Sequence, residues 1–297
     1  MGNSMGTRIG DTDWETTGRG ELLRDLPVEE QRLDVCGVTT SLLKGGRGRP
    51  LILLHGGIQA GGLVWWRVIP RLVSTHRVVV PDLPGLGESE SAPGPLEPDW
   101  VADWLEELIR ATCEEPPTLV AHSAPGAFAT RFAIQQRDRL RRLVLVDSGG
   151  LARTRPPLDV LAAAIRSVAR PSDRNFDRFM RKVMYDLDRV REQEGDRWMH
   201  FARYALERGT LRSSKKAMRS VVKGGLQAIP GTELRKVRTP VALIWGRHDR
   251  LLPLRIAESI VPAVGWPLHV IDDAGHLPHV EQPDDFIDTL QAVIGAA

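Results

Sequence analysis

The segment Ala121-His122-Ser123-Ala124-Pro125-Gly126 decides how this sequence folds. It follows the apolar run Thr118 to Ala121 and leads into a helical pattern at Ala127 to Gln136, so it predicts a sharp turn from a buried strand into a helix. Small residues suit such a turn because neighbouring strands crowd any Cβ atom there. Ser123 would lie just past the carboxyl end of a strand, where ligands bind in open α/β sheets. The turn is therefore a candidate active site.

Short apolar runs like the one before Ser123 recur along the chain and alternate with helical patterns. This alternation predicts an α/β fold, a mostly parallel twisted sheet of about eight strands flanked by helices. The runs are Gln31 to Val35, Thr39 to Leu43, Pro50 to Leu54, Arg77 to Val80, Thr118 to Ala121, Leu143 to Val146, Val241 to Trp245 and Leu268 to Ile271. The helical patterns are Val64 to Val73, Trp100 to Thr112, Ala127 to Gln136, Ile256 to Val261 and Phe286 to Ile294.

The alternation stops at residues 151–235, where helical spacing continues without a strand pattern. We therefore predict a flexible tail at residues 1–28, a core of residues 29–150 and 236–297, and a helical insertion between the two core segments. Residues 152–236 contain 20 lysines and arginines against 10 aspartates and glutamates. A basic insertion on an acidic core is either a set of solvated helix faces or a means of attracting an anionic substrate or carrier.

The composition excludes several classes of protein. Of the 297 residues, 42% are hydrophobic and 26% are charged, as is typical of a globular protein, and the net charge of +2 does not suggest a nucleic-acid binder. No apolar run is long enough to span a bilayer, and the first 25 residues contain no apolar leader segment. The two cysteines, Cys36 and Cys113, form no disulfide framework. These features predict a cytoplasmic protein without membrane contact.

Two further segments supply the groups that a serine nucleophile needs. A serine hydroxyl is weakly nucleophilic at neutral pH, so it requires an imidazole to accept its proton and a carboxylate to orient that imidazole. Asp249 follows the strand Val241 to Trp245, and His276 follows the strand Leu268 to Ile271. The order serine, acid, histidine along the chain is that of one particular fold.

With these residues, the chain resembles the α/β-hydrolase fold superfamily over roughly residues 30–297. Three other segments carry the resemblance: Leu53-Leu54-His55-Gly56-Gly57 is similar to the oxyanion loop, Pro81 to Ser89 to the turn after the next strand, and Gly275 to Pro283 to the region of the catalytic histidine. The resemblance implies a helical cap at residues 151–235 and a reaction that needs no cofactor or metal.

The resemblance also implies a role for each site residue. Ser123 would be the nucleophile, His276 the general base and later the acid, and Asp249 the orienting carboxylate. Backbone N–H groups of Gly57 and Ala124, together with Ile58, would form the oxyanion hole.

The turn departs from the family pattern Gly-x-Ser-x-Gly at two positions. Ala121 and Pro125 replace the glycines, and a glycine follows only at Gly126. Because a residue before proline is disfavoured in the helical region, we expect Pro125 to keep Ala124 out of it and to affect the aim of the Ala124 N–H. Serine rather than aspartate at position 123 argues against dehalogenase or epoxide hydrolase chemistry.

Other site assignments stay open. Asp147 ends the strand Leu143 to Val146, where some family members place the acid. His122, before the nucleophile, is commonly structural in the family. His276 with His279, Asp272 and Asp273 allows a metal-site interpretation. The aromatic residues after the oxyanion loop and in the insertion would either pack in the core or line the substrate pocket; the substrate-binding candidates are Trp65, Trp66, Tyr185 and Trp198.

The sequence therefore predicts a cofactor-independent serine hydrolase that cleaves an ester, lactone or thioester of a small to medium hydrophobic molecule. An anionic or carrier-bound acyl substrate would suit the basic insertion. The loop from His55 to Gly62 is similar to that of meta-cleavage-product hydrolases, so carbon–carbon bond hydrolysis is an alternative, as is perhydrolysis. Non-hydrolytic alternatives are a small-molecule binding protein, a cyclase or a lyase on the same fold, and a protein that docks an acidic carrier. The sequence does not indicate the oligomeric state.

Overall fold

The computed structural model describes residues 18–136, 138–153 and 155–295. Eight strands form one sheet, in the order β1-β2-β4-β3-β5-β6-β7-β8. β1 and β2 are antiparallel to each other and β2 is antiparallel to β4, whereas all later neighbours are parallel. The strands are β1 Glu29–Val35, β2 Val38–Gly45, β3 Pro50–Leu54, β4 Arg77–Pro81, β5 Thr118–His122, β6 Arg142–Val146, β7 Val241–Gly246 and β8 Leu268–Ile271.

The central, parallel strands of the sheet are buried on both faces. Every residue of β3, β5 and β7 is buried, which fits strands covered on both faces. Hydrophobic side chains pack in two clusters, and alternate residues of β3 divide between them: Leu51 and Leu53 belong to one cluster, Ile52 and Leu54 to the other. The predicted α/β sheet of about eight strands is thus confirmed.

Helices precede, follow and separate the strands. They are α1 Gly18–Arg24, α2 Ile69–Leu72, α3 Pro98–Thr112, α4 Pro125–Gln135, α5 Leu158–Ala169, α6 Asp173–Val183, α7 Leu187–Glu194, α8 Asp196–Thr210, α9 Arg212–Gly225, α10 Gly231–Leu234, α11 Arg255–Val264, α12 Pro278–Glu281 and α13 Pro283–Gly295. A 3-10 helix covers Gly61–Trp65. In the described part of the chain, no helix has both the length and the apolar character needed to cross a membrane.

Two segments differ from the sequence expectation. The pattern Val64 to Val73 forms two short helices, the 3-10 helix and α2, because Pro70 lies in the first turn of α2 and cannot donate to the preceding turn. Residues 18–24 form helix α1 where the sequence suggested a flexible tail. α1 packs on α8, and its buried Arg19 forms an ion pair with Glu30 at 2.9 Å. The packing of α1 on α8 joins residues far apart in the chain, so local sequence does not reveal it. The first 17 residues of the predicted tail lie outside the described residues.

Helices α5 to α10 lie between β6 and β7 in the chain, and we refer to residues 158–234 as the insertion helices. α9 packs on α4, the helix that follows Ser123, and on its neighbour α8. The insertion helices therefore lie over the carboxyl ends of the central strands, where the candidate site residues are found.

Candidate active site

Ser123 occupies the turn between β5 and α4 in a strained backbone conformation. Its φ angle is +62°, in the left-handed region that non-glycine residues seldom adopt. Both of its main-chain groups are held from β6 and the loop after it: the Ser123 N–H donates to the Val146 carbonyl at 2.9 Å, and the Gly149 N–H donates to the Ser123 carbonyl at 2.9 Å. The tertiary structure thus fixes a conformation that local sequence disfavours, and it lifts the serine out of the strand.

The expectation that Pro125 would keep Ala124 out of the helical region is wrong. Ala124 is helical, with φ −53° and ψ −41°. The helical conformation lets the Ala124 carbonyl accept from the Ala127 N–H at 3.1 Å as α4 begins, which offsets the local preference. Gly225 of α9 packs closely on this residue, since a Cβ atom there would be 2.5 Å from the Ala124 Cβ. Position 126, one residue after the place of the second family glycine, leaves no room for a side chain. A Cβ atom on Gly126 would be 2.8 Å from the Ser148 Cβ.

The side chains of Ser123, His276 and Asp249 form one hydrogen-bonded chain. The Ser123 Oγ lies 2.9 Å from His276 Nε2, and His276 Nδ1 lies 2.7 Å from Asp249 Oδ2. The other Asp249 oxygen accepts from the N–H groups of Leu251 at 2.7 Å and Leu252 at 2.9 Å, which fixes the carboxylate. A carboxylate only accepts, so His276 donates from Nδ1 and leaves Nε2 to accept the serine proton.

Asp147 is a second buried carboxyl group beside Asp249. Its Oδ1 accepts from the Gly246 N–H at 3.0 Å, and burial, followed by the charge of Asp249, raises the pKa of Asp147 well above its usual range. Asp147, Asp249 and His276 have potential metal-ligand atoms within 4.8 Å of one another. Among the described residues, His279, Asp272 and Asp273 do not join His276 in such a cluster, so the metal-site interpretation made from sequence is wrong for that set.

Three backbone N–H groups were predicted to form the oxyanion hole. Within the described residues, the N–H groups of Gly57 and Ala124 have no hydrogen-bond acceptor, whereas the Ile58 N–H donates to the Gly56 carbonyl at 2.7 Å. Ile58 is therefore already engaged in a tight turn. The loop of Gly57 lies beside the candidate nucleophile, because a Cβ atom on the preceding Gly56 would be 3.1 Å from the Ser123 Cβ.

The loop that carries Gly57 is held by two buried side chains whose roles the sequence did not reveal. His55 donates from Nδ1 to the Gly56 carbonyl at 2.7 Å and accepts from the Leu83 N–H at 2.9 Å. Asp82 accepts from the Gly62 N–H at 2.6 Å and the Glu88 N–H at 2.8 Å, and burial raises its pKa to about 6. Both belong to segments that carry the family resemblance, and that was the only sequence signal for them.

Glu281 holds the loop that carries His276 through hydrogen bonds to its backbone. One carboxylate oxygen accepts from the N–H groups on both sides of the histidine, Gly275 at 2.9 Å and Leu277 at 3.2 Å, and the other accepts from the Tyr185 N–H at 2.6 Å. Burial raises the pKa of Glu281 to about 7. The His276 N–H donates to the Val183 carbonyl at 2.8 Å. The position of His276 thus depends on the segment between α6 and α7 as well as on the core.

His122 and His279 lie in the core behind the site. The His122 Nε2 donates to the His276 carbonyl at 2.7 Å, and burial lowers the pKa of His122. His279 is fully buried with its ring centroid 4.1 Å from that of Trp65, and burial lowers its pKa to about 3. Both rings are therefore neutral near pH 7, which fits the structural interpretation of His122.

The candidate substrate-binding residues do not line a shared open cavity. Trp65, Trp66 and Trp198 are each at most 2% exposed and belong to the hydrophobic core. Tyr185 is 48% exposed and stacks on His248 with a centroid separation of 4.3 Å. Helical spacing, which favours core packing, describes the tryptophans correctly.

The insertion helices cover the site. Ser123 is only 7% exposed. Gly225 lies on Ala124, and a Cβ atom at Gly57 would be 3.0 Å from the Met218 sulfur atom, so α9 packs against both residues. Ser123 is therefore largely enclosed by the fold.

Comparison with curated proteins identifies relatives with two kinds of chemistry. The pimeloyl-[acyl-carrier protein] methyl ester esterase of Aeromonas hydrophila is 28% identical over 274 residues, which is 87% of this chain and all of that protein. The 2-hydroxy-6-oxo-6-(2'-aminophenyl)hexa-2,4-dienoic acid hydrolase of Metapseudomonas resinovorans is 28% identical over 86% of this chain and 88% of its own.

Solved structures share the fold. A carboxylesterase from Bacillus subtilis superimposes with a TM-score of 0.80 at 18% identity, over 94% of this chain and 96% of its own. A 2-hydroxy-6-oxo-6-phenylhexa-2,4-dienoate hydrolase from Rhodococcus also gives 0.80, at 23% identity, over 91% of this chain and all of its own. The sequence pattern of the alpha/beta hydrolase family matches residues 51–289. The chain belongs to the alpha/beta hydrolase family.

Proposed function

We propose that this protein is a serine hydrolase that cleaves acyl substrates through an acyl-enzyme. The observation that carries the proposal is the chain of short hydrogen bonds from the Ser123 Oγ through His276 to Asp249. These three groups meet the requirements for activating a serine, since the imidazole can remove the hydroxyl proton and the buried carboxylate stabilises the resulting imidazolium.

In the proposed reaction, the Ser123 Oγ attacks the substrate carbonyl carbon while His276 Nε2 takes the hydroxyl proton. The negative charge that develops on the carbonyl oxygen would be met by the N–H groups of Gly57 and Ala124, each such donor being worth about 10²–10³ in rate. His276 then protonates the leaving group. Water, deprotonated by the same imidazole, attacks the acyl-enzyme and releases the acid and the free serine.

The insertion helices would act as a cap over this site. Their backbone contacts with the site, from Val183 to His276 and from Tyr185 to Glu281, support a role in enclosing the reaction. In this role the cap would have to lift α9 from Gly57 and Ala124 to admit substrate. Of the aromatic candidates, the half-exposed Tyr185 would contact substrate in that open form, whereas the tryptophans pack in the core.

The substrate we propose is an ester or thioester of a small to medium hydrophobic acid, including one attached to a carrier. The Aeromonas relative acts on an ester of an acyl group held by an acyl-carrier protein, as its name states. The excess of basic residues at 152–236 supports an anionic partner of this kind.

The direct test compares wild type with Ser123→Ala and with Ser148→Ala, which removes the hydroxyl of a neighbouring buried serine. Each protein is incubated with p-nitrophenyl esters of increasing chain length and with a fluorophosphonate, and the label is detected by intact mass. We expect turnover and labelling in wild type and in Ser148→Ala, and neither in Ser123→Ala. A folded wild-type protein that shows neither turnover nor labelling would overturn the proposal.

Carbon–carbon bond hydrolysis is the second candidate, because several curated relatives are named as hydrolases of 2-hydroxy-6-oxo-dienoates. The same triad would serve a substrate whose carbonyl lies beside the bond that breaks. The test is to supply 2-hydroxy-6-oxo-6-phenylhexa-2,4-dienoate and follow the loss of its absorbance. Turnover of the dienoate at a kcat/KM well above that of the p-nitrophenyl esters would favour this candidate.

A further inference from the structure

A cavity of about 230 Å³ lies outside the active site, between α9 and the loop that follows β4. Its floor is apolar and includes Pro84, Leu96 and Ala217. Its volume is several times the roughly 30 Å³ share of a water molecule in liquid, so it has room for a small organic group. The cavity is therefore a candidate binding site in its own right.

Three cations line this cavity, and none of them has a carboxylate ion-pair partner in the described part of the chain. Lys216, Arg219 and Lys223 line it from α9. Their spacing of three and four residues places them along one side of the helix. Among the described residues, no carboxylate forms an ion pair with any of the three, whereas many arginines elsewhere in the insertion are paired with acids. α9 itself contains no acidic residue.

Serine hydroxyls complete the lining of the cavity. Ser91, Ser213 and Ser220 contribute to it, and the Ser220 Oγ accepts from the Leu96 N–H at 2.6 Å. That bond leaves the Ser220 hydroxyl proton free to be donated. Hydroxyl donors beside three positive charges provide what an oxyanion with several acceptor oxygens requires.

The same helix separates this cavity from the active site. Met218 and Gly225 of α9 lie against Gly57 and Ala124, so the helix forms a wall shared by both sites. An α-helix with its side chains is about 10 Å thick. A group bound in the cavity would therefore lie about one helix diameter from the candidate nucleophile, within reach of a substrate that carries an extended arm.

We propose that this cavity binds a phosphate ester at the end of the substrate distant from its acyl group. A phosphate ester fits better than a carboxylate, because three unpaired cations match its multiple charges and oxygens while the apolar floor accepts the aliphatic part bonded to it. This inference rests on the proposed function and specifies its substrate class: acyl groups joined to a phosphate through a flexible linker.

The test measures binding and needs no hydrolysis. The Ser123→Ala protein is titrated calorimetrically with coenzyme A, with pantetheine, which lacks the phosphates, and with inorganic phosphate. The titrations are repeated after adding Lys216→Gln with Arg219→Gln. The matched control adds Arg212→Gln with Lys215→Gln, which removes one lysine and one arginine from the same helix outside the cavity.

We expect coenzyme A to bind at least tenfold more tightly than pantetheine, with inorganic phosphate as a weak competitor. The cavity pair of substitutions should weaken coenzyme A binding by about tenfold or more, whereas the control pair should change it little, because charge-assisted hydrogen bonds are lost only in the cavity. Equal affinity for coenzyme A and pantetheine, or equal losses in both pairs, would overturn the proposal. Ester turnover and fluorophosphonate labelling of the wild type test the proposed function separately, so the two failures are distinguishable.

Discussion

Replacing Glu281 with glutamine should remove a pH dependence from the stability of the protein. Glu281 is 1% exposed and holds the backbone on both sides of His276 as well as Tyr185. Burial raises its pKa from 4.5 to about 7 in the folded state. The folded protein thus holds a proton at pH values where the unfolded chain has released it.

The sign and size of the effect follow from this difference. Because the folded state binds the proton more tightly, this group favours folding at low pH, and its contribution is lost as the pH rises through about 7. One pKa unit corresponds to about 1.4 kcal/mol, so the free energy of unfolding should fall by about 2–3 kcal/mol between pH 5 and pH 8 on account of Glu281. Glutamine cannot titrate, so Glu281→Gln should lack this component.

The assay is urea unfolding of wild type and Glu281→Gln, followed by tryptophan fluorescence at several pH values from 5 to 8. The free energy of unfolding of the wild type, relative to that of the variant, should decrease as the pH rises. Glu258→Gln is the control, since Glu258 is exposed on α11 and its substitution should leave the wild-type pH curve unchanged. If the curves of wild type and Glu281→Gln run parallel, Glu281 does not exchange its proton in this range and the reasoning fails.

Three further predictions concern the strained turn, the two buried carboxyl groups and a helix cap. Gly126→Ala should destabilise the fold by about 1–3 kcal/mol, the range for overpacking, because the new Cβ atom would meet the Ser148 side chain. Adding Ser148→Ala should restore part of the melting temperature. A double variant that melts no higher than Gly126→Ala would contradict the stated contact. Asp147→Asn should keep kcat on a p-nitrophenyl ester within about tenfold of wild type, because burial and the charge of Asp249 raise the pKa of Asp147 and so favour its neutral form, which asparagine resembles. Asp249→Asn should instead lower kcat by up to about 10⁴. Equal losses would show that Asp147 supplies the working carboxylate. Ser172→Ala should cost about 0.5–2 kcal/mol in chemical unfolding, because its hydroxyl accepts from the Asn175 N–H at the start of α6, and an unchanged midpoint would show that α6 does not need this cap.

The sequence predicts the strands well, and it singles out the three side chains that the fold brings together, because both depend on local patterns. Continuous apolar runs specify strands buried on both faces, and the short segments around Ser123, Asp249 and His276 lie where such strands end. The relations that it does not predict join distant parts of the chain. Examples are the close contact of Gly225 with Ala124 and the hydrogen bond from the Tyr185 N–H to Glu281.

Reasoning from local sequence also fails to predict which groups already have a partner in the folded chain. Ile58 follows the glycines of its loop and so looks available as a donor, but a tight turn engages its N–H with the Gly56 carbonyl. Helix α1 has little apolar sequence of its own, and its buried face depends on α8 and on the ion pair between Arg19 and Glu30. In each case the deciding partner becomes visible only after the chain has folded.

The hydrogen bond from the His276 N–H to the Val183 carbonyl limits how far this protein can be treated as modular. Grafting the insertion of a relative onto this core is an obvious route to new specificity. The donor segment, however, would have to bring a carbonyl group to the place of Val183 and an N–H group to the place of Tyr185. Otherwise the exchange would displace the imidazole while leaving every core residue unaltered, and an inactive chimera would be mistaken for one with the wrong pocket.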